Sequence, residues 1–234
     1  MKDFRHNHDT KDTFQESKIH FFFLVGASVV PAENDRLETE AEQFNDIVMI
    51  NMIDEYRKLS FKTIAGLLIA RDLCPNARFY LKIDEDVVFL PDMLHHMMTS
   101  RKQDEPTVYG YVHTTSTPQR LTDGKWFTPE QDYPCQAYPS YASGPMYFLN
   151  KDATDRILRS TGARNHISTE DVMVSGILRT HANVALHHLP YIYYSRDDLS
   201  YFSGTPLLSL HGMKNPQDFN ETWHTSMLNR CRYC

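Results

Sequence analysis

No apolar run in this 234-residue chain is long enough to cross a bilayer. The longest covers residues 21–30, Phe-Phe-Phe-Leu-Val-Gly-Ala-Ser-Val-Val, whereas a spanning helix needs about 20 apolar residues. It follows a polar, His-rich, acid-containing stretch, which is not the flank of a signal peptide, so it reads as a buried strand. Nothing in these residues is expected to insert into a membrane. A basic excess is also missing: 24 Lys+Arg face 30 Asp+Glu, a formal net charge of -6. That removes the electrostatic footprint of a nucleic-acid binder. An acidic chain that handles phosphates needs a metal or a local basic patch. Glycine is scarce at 9 residues and aromatics reach 12%, which excludes collagen-like and disordered classes. A glycine-rich phosphate loop, a Gly-x-Ser-x-Gly elbow and a His-Glu-x-x-His helix are all absent. Cysteine is limited to Cys74, Cys135, Cys231 and Cys234. Sequence cannot choose among their pairings, and the terminal Cys-Arg-Tyr-Cys lacks the second pair that a zinc knuckle needs.

What is present alternates between strand-like and helix-like segments. Strands are expected over 19–26, 46–51, 78–83, 87–90, 107–113 and 147–150. Helices are expected over 37–45, 56–73, 91–100, 151–160, 172–179 and 216–229. The helix over 56–73 is the clearest, with Leu59, Thr63, Leu67 and Ala70 on one face and Pro75 as its stop. Residues 31–35 read as a loop, and 114–142 as a long polar connection rich in Pro and Tyr. This pattern predicts an α/β fold, one domain over 1–234, with a parallel or mixed sheet flanked by helices.

Four features could carry chemistry. Asp84-Glu85-Asp86 follows the apolar strand Phe79-Tyr80-Leu81-Lys82-Ile83. Alternation puts Asp84 and Asp86 on one side. Carboxylates packed at a strand end favour a hard cation such as Mg²⁺ or Mn²⁺, the alternative being a solvated acidic turn. Glu170-Asp171 could supply a general base or simply open a helix capped by Ser168 or Thr169. His211, beside a turn after Leu207–Leu210, could ligate a metal or be structural. Tyr138-Pro-Ser-Tyr141-Ala-Ser-Gly144-Pro-Met-Tyr147 could be a sugar platform or a Tyr-rich loop over the core. The pairs His95-His96 and His187-His188 have no acid at ligand spacing and read as structural.

Taken in order, these motifs resemble the β-1,3-galactosyltransferase-like family, which includes β-1,3-N-acetylglucosaminyltransferases and is related to the fringe enzymes. Glu40-Ala-Glu42-Gln-Phe44-Asn-Asp46-Ile47 is similar to its E-x-E-x-(Y/F)-x-D-I. Asp54-Glu-Tyr56-Arg-Lys-Leu59-Ser-Phe-Lys62-Thr63 is similar to D-x-Y-x-N-L-T-x-K-T. Cys74-Pro75 through Lys82-Ile-Asp84-Glu85-Asp86-Val87 is similar to C-P…K-x-D-D-D-V. Tyr138 to Gly144, Glu170-Asp171-Val172 with Gly176, and His211 with Trp223 complete the series. Departures are a faint N-terminal element over 7–14, Glu85 for the middle Asp, Pro145 for a Gly, and Ala142 and Leu178 at two positions where relatives usually carry Cys.

The resemblance implies a GT-A-type nucleotide-sugar-binding fold with a mixed, mostly parallel sheet. It implies a UDP-sugar donor, with Mn²⁺ (or Mg²⁺) held by Asp86, Asp84 and His211. Donor contacts would come from Asp84, Glu85, Lys62, Tyr138 and Gly144. The reaction would be an inverting β-1,3 transfer of galactose, or next N-acetylglucosamine, to a glycan on a glycoprotein or glycolipid. Asp171 would be the base, with Glu170 as the fallback. Relatives are mostly anchored Golgi membrane proteins, so a Golgi location is expected, with any anchor outside this chain. The competing expectations are an inactive glycan-binding module of the same fold and a metal-dependent phosphohydrolase.

Overall fold

The computed structural model describes residues 19–91, 94, 105–163, 165–190, 192–193 and 207–230. The faint element over 7–14, the helix expected after Pro91, His95-His96, Cys231 and Cys234 lie outside the described residues.

Strand β1 (Phe23–Ala27) and strand β2 (Ile47–Ile53) pair in parallel, joined by helix α1 (Pro31–Phe44). The helix starts six residues earlier than the sequence suggests (31 against 37) because Pro31 occupies its first turn. There a fixed φ and a missing N–H cost nothing. Ser28 and Asn34 knit the start together, Ser28 N–H donating to Asn34 Oδ1 at 2.8 Å and Asn34 Nδ2 to Ser28 O at 2.9 Å. Asn45 ends the helix in the left-handed region at φ 52°, a conformation Asn tolerates. Helix α2 (Leu59–Leu73) follows a 3₁₀ turn, Tyr56–Lys58, and buries Ser60, Thr63 and Leu67. That spacing is one face of a helix.

Strands β3 (Phe79–Ile83), β5 (Thr107–His113), β6 (Tyr141–Asn150) and β7 (Ala185–His188) form a sheet ordered β3-β6-β5-β7. Strand β4 (Val87–Phe89) pairs with β9 (Ser209–His211), which pairs with β8 (Ile192–Tyr193). The sheets are mixed and flanked by helices, as expected. Parallel pairs do not predominate. Among the described residues three pairings are parallel and three antiparallel. The cause is β6, inserted antiparallel to both β3 and β5.

Strand β6 also starts earlier than expected, at Tyr141 rather than Tyr147. Gly144-Pro145 falls where the β5–β6 register shifts, between the pairs Gly110↔Tyr147 and Val112↔Ala142. Proline is tolerated at such an irregularity because no ladder donor is required of it. Beyond the shift β6 alternates between two cores. Tyr147 and Leu149 join Val172, Leu178, Ile157 and Tyr80, while Met146 and Phe148 join Val87, Phe89, Leu189 and Leu208. A strand covered on both faces reads as a continuous apolar run. Ala142 and Leu178 are both fully buried in the first of these clusters.

Helix α3 (Lys151–Arg159) is capped by Asn150, whose side chain accepts from Ala153 N. The helix after Glu170 is π-wound over Val172–Leu178 and returns to α form as α4 (Arg179–His181). Helix α5 (Pro216–Arg230) lays Phe219 and Trp223 on Val88, Leu90 and Leu210.

Candidate active site

The acidic turn joins two strands of different sheets. Strand β3 delivers Lys82 and Asp84 with the two-residue period of a strand, and β4 continues after Asp86. Asp84 N–H donates to Pro145 O at 2.9 Å, which ties the turn to β6. The β4–β9 register sets Val87 opposite His211. His211 Nε2 therefore lies 3.2 Å from Asp86 Oδ2. Gly212, at φ 92°, then lets the chain fold back so that Gly212 N–H and Met213 N–H donate to Asp86 O at 3.1 and 3.0 Å. Burial raises the Asp86 carboxyl pKa, but the hydrogen bond and charge of His211 outweigh it and hold the group below its usual range. One ligand atom from each of Asp84, Asp86 and His211 lies within 4.8 Å of the others. Two carboxylates and an imidazole form a hard-to-borderline donor set that fits a divalent ion such as Mn²⁺. Trp223 packs in the cluster beneath β4 and β9 and supports this turn from behind. Glu85 is exposed at its tip.

Glu170 and Asp171, adjacent in sequence, occupy different surroundings. Glu170 is 5% exposed. Its Oε1 accepts from the buried Tyr147 hydroxyl at 2.5 Å, and its Oε2 lies 3.6 Å from Lys82 Nζ. Burial pushes the carboxyl up to about 7. The same contact drives the Tyr147 phenol well above its ordinary range, with burial the larger cause. Asp171 is only partly buried. Its Oδ1 accepts from Val172 N at 2.9 Å and its Oδ2 from Gly144 N at 3.0 Å. Burial raises its pKa against these two backbone bonds. Asp171 is thus an N-cap as well as a candidate base; neither Ser168 nor Thr169 caps this helix.

Lys82 joins the two halves. Its ammonium bonds to Asp84 Oδ1, to Gly144 O at 2.5 Å and approaches Glu170. Burial opposes the charge, but Glu170 and Asp84 outweigh it and raise the Lys82 pKa. Lys82 is the site residue that motif reading quoted without giving it a role. Its signal was present: a cation two residues before Asp84 in an otherwise apolar strand.

A second recess lies at the carboxyl ends of β1 and β2, where open α/β sheets place ligands. This cavity of about 420 Å³ is lined by residues including Gly26, Asn34, Leu37, Ile53, Asp54 and Glu55. Gly26 is required there, since a Cβ would stand 2.5 Å from Met52 O. Asp54 Oδ2 accepts from Gly26 N at 3.0 Å and from Lys62 Nζ at 2.6 Å. Lys62 thus braces the cavity wall. Tyr56 follows that wall, and its phenol pKa is raised first by burial and then by the charges of Asp171 and Asp84.

The structure corrects the sugar platform expected around Tyr138. Tyr138 is 9% exposed and Tyr147 0%. Tyr138 spends its hydroxyl on Thr128 Oγ1 at 2.7 Å. Tyr147 faces the core from within β6, and Tyr138, before that strand, is held by its N–H to Ser116 O at 2.9 Å as well as by Thr128. His188 is structural, its Nδ1 accepting from Val112 N at 3.1 Å.

The model of the family described as Galactosyltransferase matches residues 3–190. Beta-1,3-galactosyltransferase bre-2 of Caenorhabditis elegans is 31% identical over 235 residues, 97% of this chain and 66% of that protein. Beta-1,3-galactosyltransferase 5 of Pan troglodytes is 27% identical over 177 residues, 76% of this chain and 59% of its own. Beta-1,3-galactosyltransferase 1 of Mus musculus is 30% identical over 171 residues, 72% and 52% respectively. The chain spans from about half to just under two thirds of the length of these relatives. Among solved structures, a glycosyltransferase involved in glycosylation of the major capsid of PBCV-1 aligns with a TM-score of 0.43 at 12% identity, covering 87% of this chain and 99% of that one.

Proposed function

This chain belongs to the galactosyltransferase family, and from that premise we propose that it transfers galactose from a UDP-sugar to a glycan hydroxyl in β-1,3 linkage, with inversion. The observation that carries this reading is the convergence at Gly144. Its N–H holds Asp171, and its carbonyl holds Lys82, which also binds Asp84 of the Asp84–Asp86–His211 set.

In this mechanism Asp171 accepts the proton of the acceptor hydroxyl. The freed oxygen forms a bond to the anomeric carbon as the bond from that carbon to the diphosphate oxygen breaks. UDP departs with the electron pair. One displacement converts an α-linked donor into a β-linked product, so no protein nucleophile is needed. Asp84, Asp86 and His211 would hold Mn²⁺, which supplies Lewis-acid screening of the diphosphate charge. Lys82 fixes the orientation of Asp84, and buried Glu170 fixes Lys82. The donor nucleoside is assigned to the recess braced by Asp54 and Lys62. Asp171 is assigned the base because Glu170 is enclosed by Tyr147 and Lys82. Among the described residues no helix is long and apolar enough to cross a membrane. The Golgi lumen is the proposed location, by kinship with the family.

The test is incubation of the full chain with UDP-galactose or UDP-N-acetylglucosamine, Mn²⁺ and a panel of β-glycosides, with product linkage read by NMR. A β-1,3 galactosylated product that disappears in Asp86→Ala is expected. N-acetylglucosamine transfer would reassign the donor. Glycan binding without product would establish an inactive module, and UMP release would establish a phosphohydrolase.

A further inference from the structure

We propose that Tyr56 and Trp126 form the platform on which the acceptor sugar stacks, with Lys125 fixing the two rings. This rests on the transfer reaction proposed above and names where its second substrate sits.

The first observation is exposure. Tyr56 is 45% exposed and Trp126 49%, and the Lys125 ammonium lies against both rings. The two rings therefore share one solvent-facing surface. The second is preorganisation. Lys125 Nζ stands 4.7 Å from the Tyr56 ring centroid and 5.8 Å from that of Trp126, within cation–π range of both. The loop carrying Trp126 is closed on itself. Thr128 N–H donates to Gln119 O at 2.8 Å, and Phe127 N–H to Gly124 O at 3.0 Å. Arg120 clamps the loop from below, donating to Thr128 O and Tyr133 O at 2.7 Å each and to Cys135 O at 3.1 Å. A loop so tied presents its indole without paying ordering entropy on binding.

The third observation is position. Tyr56 adjoins the wall of the recess at Glu55, and Thr128, two residues after Trp126, sets its Oγ1 3.4 Å from Thr169 Oγ1, two residues before Asp171. An acceptor hydroxyl must reach Asp171, so its ring has to lie within one sugar's breadth of that carboxylate. Aromatic faces take the C–H side of a pyranose, while Lys125 and the nearby carboxylates can meet its hydroxyls. The buried Tyr138 cannot serve this purpose, whereas the exposed pair can.

The chain has 2 tryptophans, Trp126 and the buried Trp223, so emission reports on the platform directly. The full chain with UDP and Mn²⁺ is titrated with methyl β-N-acetylglucosaminide and methyl β-galactoside. A blue shift of emission is expected in the native chain and not in Trp126→Phe. In transfer assays Trp126→Ala should raise the acceptor KM about tenfold, the scale of one lost aromatic contact. It should leave the UDP thermal shift unchanged, and Trp126→Phe should restore most of the acceptor KM. The platform is overturned if the shift persists in Trp126→Phe or if Trp126→Ala leaves the acceptor KM unaltered. It is also overturned if no shift occurs at saturating acceptor in a chain that transfers. A glycoside-induced shift without product would support the platform and overturn the transfer reaction. Neither shift nor product would overturn both.

Discussion

Gly144 holds Asp171 against the end of β6. Its N–H donates to Asp171 Oδ2 at 3.0 Å, and a Cβ built on it would stand 3.3 Å from the same oxygen. Gly144→Ala should therefore displace the carboxylate by a few tenths of an ångström. A shift of that size at a reacting group is expected to lower kcat by about tenfold, with UDP affinity retained. Steady-state kinetics beside a UDP thermal shift would check this. Native kcat in the variant would remove Asp171 from the chemistry.

Asp171→Asn keeps the side-chain shape and an acceptor oxygen for one backbone N–H but cannot take a proton. Transfer should fall by about 10²–10⁴-fold, the usual worth of a general base, with UDP binding intact. Equal losses of both would assign Asp171 a purely structural role.

The metal set is testable without any acceptor. UDP with Mn²⁺ should raise the melting temperature of the native chain, since ligand at about 100 Kd adds about 2.7 kcal/mol. Asp86→Ala and His211→Ala should each lose most of that rise, and EDTA should abolish it in the native chain. A rise that survives both substitutions would place the ion elsewhere.

Glu170 predicts a pH dependence of stability. Its folded pKa of about 7 exceeds the ordinary 4.5. Between those values the folded chain keeps a proton that the unfolded chain releases. The stability linked to this group is thus complete below about 4.5 and lost as pH rises through about 7. Denaturant titrations of native chain and Glu170→Gln across this window should show the native advantage shrinking with rising pH. A constant difference would mean that the carboxyl titrates normally.

Ser175 is fully buried. Its hydroxyl accepts from Ala142 N at 2.9 Å and lies 2.7 Å from Asp171 O and 2.9 Å from Ala142 O. Ser175→Ala leaves the buried Ala142 N–H unpaired, so a loss of about 1–3 kcal/mol is expected. Chemical denaturation would measure it.

Much of the candidate site was legible because its acidic residues are local. Asp84 and Asp86 sit two residues apart at the end of an apolar strand, although the chain turns there instead of staying extended, and Glu170-Asp171 opens a helix, so spacing alone marks them. Lys82 was legible in principle, as a cation in an apolar strand, but its partners Gly144 and Glu170 lie 62 and 88 positions away and appear only when β3 pairs with β6. The sequence misled where one residue type serves two conformations. Pro31 is a breaker in a loop but the opening of α1, and the Pro- and Tyr-rich stretch ahead of Tyr147 gives way to β6 already at Tyr141. The Tyr-rich segment stayed open between a platform and a loop over the core for a related reason. Composition reports that tyrosines are present, and only the folded chain decides that Tyr138 and Tyr147 are buried while Tyr56 and Trp126 stay outside.

The acidic turn hangs from β3 and Asp171 is moored to β6, its hydrogen-bonded neighbour. The gap between Asp84 and Asp171 is accordingly set by the pairing of β3 with β6, and not by any loop. The 119–128 loop is closed by its own bonds and carries none of that gap. Under the proposed transfer, exchanging it for a loop of different shape is expected to retune which glycan is accepted while Asp84 and Asp171 keep their places. The protein would then work as a chuck with interchangeable jaws.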